Sequence, residues 1–96
     1  MIPEDFELSK GDILVKREGW SMVIYDFYEI VDITNKQVKL RELKKEMVNI
    51  KDCMSFDVKP TKEFNGNLII RVSKITLRMQ YSMYNSTKAY TEDHAD

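Results

Sequence analysis

The chain has 96 residues, fifteen of them basic and sixteen acidic, for a formal net charge of −1. That length supports one modest core, burying roughly 60–70% of the surface an unfolded chain exposes, and 43% hydrophobic residues is too many for a chain that stays disordered. A single cysteine, Cys53, excludes an internal disulfide and a cysteine-built zinc cage.

In chain order, residues 1–9 read as a polar, acidic lead-in. Lys10-Gly11-Asp12 is a turn signal, and the apolar run Ile13-Leu14-Val15 that follows, two of its three residues β-branched, predicts a first short strand. Gly19 interrupts the chain again. Trp20 follows it, and Met22 to Thr34 is rich in Val, Ile, Tyr and Phe, the strongest strand composition in the protein. Strict alternation fails inside that run, because Tyr28 and Ile30 fall on one face while Val31 and Ile33 fall on the other. Either a β-bulge between Tyr28 and Val31 shifts the phase, or both faces are buried. A polar turn at Thr34-Asn35-Lys36-Gln37 then leads into Val38 and Leu40, facing inward, with Lys39 and Arg41 outward.

Residues 44–52 are ambiguous between a continued strand or loop and a short helix, since Leu43, Met47 and Ile50 also fit helical spacing. Phe56 to Pro60 reads as an edge strand, because proline removes a ladder donor. Asn65-Gly66-Asn67 is a turn signal. Beyond it, the alternating residues 68–80 predict a second hairpin turning at Ser73-Lys74. Tyr81 to Ala89 is expected to pack back on the sheet, and the acidic end to fray. The sum is an all-β fold: one domain over 1–96, a small curled antiparallel sheet of five or six strands closing into an SH3-like or OB-like barrel, with 1–9 and 90–96 as flexible ends.

Trp20, the YDFYEIVDITNK of 25–36 and the VKLRE of 38–42 resemble a group of short uncharacterised proteins of bacteriophages and related mobile elements. Their pattern is an aromatic, then Tyr-Asp-x-Tyr, then a strand ending in Thr-x-Lys, then Val-x-Leu-Arg. The correspondence extends loosely through Val58-Lys59-Pro60, the strand ending in Arg71-Val72, and the serine/tyrosine segment from Tyr81 to Ala89. That last segment lacks a tryptophan expected of the group, so no role is carried over to it. The resemblance implies viral origin and small size, and it implies no activity.

The residues argue against catalysis, which needs a nucleophile, a base and a group to orient it. The only histidine, His94, falls in the acidic tail, and Cys53 reads as a packing residue. Phosphate-cradling glycine loops are absent. No metal or other cofactor is expected, since the terminal acids have no scaffold to fix them. The opening residues show no basic segment followed by an apolar stretch, and no window approaches ~18 apolar residues. A cytoplasmic protein without membrane association is expected.

Two binding readings remain. In the first, Trp20, Tyr25, Phe27 and Tyr28 form a protein-binding surface for a host or viral partner, although at least half of these aromatics are expected in the core. In the alternative, a nucleic-acid-binding face is built from Lys36, Lys39, Arg41, Lys44 and Lys45 on one hairpin and Arg71 and Arg78 on the other. The charge is segregated along the chain: residues 1–35 hold eight acids against three bases, and residues 36–88 hold twelve bases against five acids. The acidic pI of 5.8 weighs against the second reading. Oligomeric state is left open.

Overall fold

A run of β-branched and aromatic residues, broken by glycine and by polar turns, produces the six strands of this computed structural model, which describes residues 1–94. They are β1 (Ile13–Glu18), β2 (Ile24–Ile33), β3 (Gln37–Ile50), β4 (Ser55–Ser73), β5 (Ser82–Met83) and β6 (Tyr90–Asp93), with one helix, α1 (Lys74–Gln80). All pair antiparallel in the order β5-β1-β2-β3-β4-β6. The free edge of β6 reaches back to the residue before β2, where Val23 and Asp93 exchange backbone hydrogen bonds of 2.9 and 3.0 Å. The sheet is thus a curled half-barrel that β6 closes at one end.

Both explanations for the broken alternation in β2 hold together. The register with β3 slips between Ile30 and Asp32, so Val31 is the extra residue of a bulge, and Ile33 returns to the face already occupied by Tyr28 and Ile30. That face packs on Leu14, Val38, Leu40, Ile2, Leu77 and Tyr81. The opposite face is also buried, with Val15, Phe27, Leu43, Val58 and Tyr90 in contact. Adjacent residues Phe27 and Tyr28 therefore serve two different cores, as the period of two requires. Aromatic edges fill the β6 face: Phe27 meets Tyr84 and Tyr90 edge-on at 5.6 and 5.7 Å.

The second hairpin expected over 68–80 does not form. Residues 68–73 complete β4, and 74–80 are helical. Ser73 supplies the N-cap, its hydroxyl accepting from the Thr76 N–H at 3.1 Å, and this capping signal outweighs the alternation of Ile75, Leu77 and Met79. Only Leu77 of those three is buried; Ile75 and Met79 face solvent. Asn65-Gly66-Asn67 does not reverse the chain either. Gly66 takes a positive φ of 88° within β4, where the chain advances five positions from Phe64 to Ile69 while β3 advances only two between Arg41 and Leu43. The chain bulges outward there, and Arg41 clamps it through bonds to the Gly66 carbonyl and the Asn67 side chain at 2.9 and 2.8 Å.

The ambiguous residues 44–50 continue β3 as a strand. Phe56 is not on an edge: Ser55–Val58 lies between β3 and β6. Pro60 falls just past the last β6 pair and at a register shift, where a missing N–H is tolerated. Neither end is a bare tail. Ile2 is buried and its N–H donates to the Arg78 carbonyl at 2.8 Å. Tyr90–Asp93 is strand β6 with Tyr90 and Glu92 buried, while residues 95 and 96 lie outside the described residues. No described helix is long and apolar enough to cross a membrane.

Candidate interaction surface

The two long hairpins turn at the same end of the sheet. Gly19 opens the β1–β2 turn with φ of 103°, and a Cβ at this position would run into the Met22 backbone carbonyl, so the turn is specific to glycine. It holds Trp20 out completely, at 104% relative exposure. The β3–β4 turn at 51–54 is fixed by bonds from the Lys51 and Asp52 N–H groups to the Ser55 carbonyl and from the Met54 N–H to the Asp52 carboxylate. Beside it Met47, Val48, Ile50 and Met54 are all exposed, because distal β3 runs past the end of β1 and past its last partner in β2. Strand β6 joins the two tips through Val23 on one edge and Ser55 on the other.

Of the four aromatics expected to bind a partner, the structure leaves only Trp20 fully available. Phe27 and Tyr28 are core residues, on opposite faces. Tyr25 is half-buried with its ring edge-on to Tyr90 at 5.4 Å. The tip aliphatics Met47, Val48, Ile50 and Met54 were not legible as surface residues, since nothing local marks where a strand outruns its core. Cys53, expected to pack, is exposed in the tip.

Behind the tips, β2 and β3 part after the Phe27–Leu43 pair, which would leave the backbone of Tyr25 without a hydrogen-bond partner on the β3 side. An ion pair fills the seam. Glu92 Oε2 accepts from the Tyr25 N–H at 3.0 Å, and the Lys45 ammonium donates to the Tyr25 carbonyl at 2.9 Å and to the same carboxylate oxygen at 2.5 Å. His94 Nε2 donates to Glu92 Oε1 at 2.8 Å, and the imidazole stacks on Phe56 at 5.0 Å. Burial raises the Glu92 carboxyl, but the hydrogen bonds from Lys45, the Tyr25 amide and His94 outweigh it and hold it below the usual range. A second buried carboxylate, Asp57, is lowered chiefly by the Thr91 hydroxyl at 2.6 Å. Among the described residues no buried side-chain polar atom lacks a partner, so the sheet behind the tips is internally satisfied.

The seven basic residues do not assemble into one stripe. Lys39 and Arg71 are cross-strand neighbours, and Lys39 is 3.7 Å from Asp32. Arg41 is spent on the β4 bulge and stacks over Phe64 at 4.1 Å. Lys44 faces Glu63 at 3.7 Å and Lys45 is held in the seam. Arg78 is on the other face, bonded to the Pro3 and Phe6 carbonyls of the N-terminal segment. Lys36 and Arg71 are left exposed.

Comparison with known protein families, with curated proteins and with solved structures finds no match to this chain.

Proposed function

We propose that the chain is a non-catalytic, cytoplasmic SH3-like binding module of phage or mobile-element origin, acting through protein–protein interaction at the joined hairpin tips. The observation that carries this reading is the fully exposed Trp20 on a glycine-locked turn. An indole buries about 150–250 Å² on docking, which at about 25 cal/mol per Å² is roughly 4–6 kcal/mol of gross driving force. Holding that surface in water is a standing cost to the free protein, and tryptophan is the residue most enriched among interface hot spots. Because Trp20 projects outward, its partner must offer a concave apolar pocket, which a folded host or viral protein can provide. Met54 and Ile50 would form the surrounding apolar contact, and Lys51 and Asp52 the polar rim.

The test compares immobilised wild type with the Trp20→Ala and Met54→Ala variants for capture of a partner from host lysate. A protein retained by wild type and lost from the Trp20→Ala column is expected. Identical capture by both columns would remove the proposal, and concentration-dependent sedimentation of the purified chain would identify the partner as a second copy. The nucleic-acid alternative predicts salt-sensitive anisotropy changes with labelled DNA or RNA. The dispersal of the basic residues and their engagement by acids and carbonyls favour the protein partner.

A further inference from the structure

A second feature, independent of the Trp20 surface, lies on the β6 face between β1, β5 and the segment 84–90. A cleft of about 440 Å³ opens there, lined by Arg17, Tyr25, Gln80, Ser82, Asn85 and Lys88 together with flanking apolar residues. Its position follows from register. Arg17 is directly opposite Tyr25 in the β1–β2 ladder, so both side chains emerge on the same face, while Arg17's neighbours Lys16 and Glu18 point the other way and pair with each other at 3.4 Å. From the far wall, Lys88 reaches over the Tyr90 ring, 5.3 Å from its centroid.

Among the described residues no acid lines this cleft. Among the described residues neither Arg17 nor Lys88 has a carboxylate partner. In a chain with more acids than bases, two unneutralised cations converging on one concavity are not explained by packing. The other polar groups, Gln80, Ser82 and Asn85, are neutral hydrogen-bonding side chains that can donate to an anion. We propose that the cleft binds a small phosphate monoester. A phosphate carries about −1.5 to −2 charges and three strong acceptor oxygens, which suits one guanidinium, one ammonium and several neutral donors. The volume falls within the roughly 300–1,000 Å³ of small-molecule sites and exceeds what inorganic phosphate needs. The organic remainder of the ester would then rest against Tyr25 and Tyr90.

The experiment is a titration of isotopically labelled protein with phenyl phosphate at low salt, followed by amide chemical shifts. Inorganic phosphate and benzoate serve as parallel probes. Saturable shifts at Ser82, Asn85 and Lys88 are expected, with Arg17→Gln and Lys88→Gln each weakening binding about tenfold, the size of one charge-assisted contact. Both replaced side chains are exposed, so unchanged shifts elsewhere confirm that the fold is kept, and either variant suffices if the other misfolds. Inorganic phosphate should bind the same amides more weakly. Absence of saturable shifts, shifts indifferent to both substitutions, or benzoate binding as tightly as phenyl phosphate would each overturn the proposal.

Discussion

Replacing Glu92 by glutamine tests the seam that holds β2, β3 and β6 together. The glutamine oxygen can still accept from the Tyr25 amide and from Lys45, and its NH₂ can face the imidazole in the other tautomer. The substitution therefore removes charge while largely keeping shape. Two unit charges 4 Å apart attract by about 4 kcal/mol at an effective dielectric near 20, and here the ammonium and carboxylate are 2.5 Å apart with Glu92 almost wholly buried. Two features reduce the net loss: Lys45 keeps 31% of its side-chain exposure, and Asp26 is 3.6 Å away as a second counter-ion. The expected destabilisation is about 2 kcal/mol, which in a domain of this size lowers the melting midpoint by about 8–16 °C. Glu92→Ala, which also strands the Tyr25 amide, should cost about 3–5 kcal/mol. Urea unfolding followed by far-ultraviolet circular dichroism is the suitable assay, because Trp20 is already in water in the native state and reports little. The acid limb gives an independent check. Glu92 is held below its ordinary value near pH ~4.3, so the unfolded chain takes up its proton first. Stability from Glu92 is therefore fully present above that value and is lost as pH falls through the lower folded-state pKa. The glutamine variant should lose that part of the slope. A variant within about 0.5 kcal/mol of wild type, with an unchanged acid limb, would refute the assignment of the seam to charge.

Gly19→Ala forces a side chain onto a positive φ and against the Met22 carbonyl, and should lower stability by more than about 1 kcal/mol in urea unfolding. Ser73→Ala removes the cap of a helix only seven residues long, and should cost about 1 kcal/mol, with amide exchange accelerating at 74–80 before the sheet. Glu42 has the opposite sign to Glu92. Burial first, then the nearby Asp26 charge, raises its carboxyl above the usual range, so its ionised form is disfavoured in the folded protein and stability falls as pH rises through the raised value. Glu42→Gln should accordingly raise the melting midpoint at pH 7 and leave it unchanged at pH 3.

Much of the β2–β3 ribbon is legible in the residue pattern alone. Tyr28, Ile30 and Ile33 could share a core only through a bulge, and Val38 and Leu40 had to face away from Lys39 and Arg41. The candidate surface is less legible. Trp20 carries a cue in the glycine before it, whereas the exposure of Met47, Val48, Ile50 and Met54 depends on how far β3 outruns β1. The Glu92 seam has no local cue at all, because three acids around a histidine at a chain end look the same whether solvated or docked.

By itself the sequence determined the all-β class, the break of alternation in β2 and the polar turn at 34–37, because side-chain alternation and turn chemistry act over a few residues. Only the tertiary structure decided that 74–80 would coil rather than extend, where the Ser73 cap and the burial of Leu77 alone prevail over local alternation. It also decided that Tyr90–Asp93 would become a strand. A four-residue strand has too little intrinsic preference to form alone, and its hydrogen bonds exist only because β4 and Val23 present free backbone on either side of it.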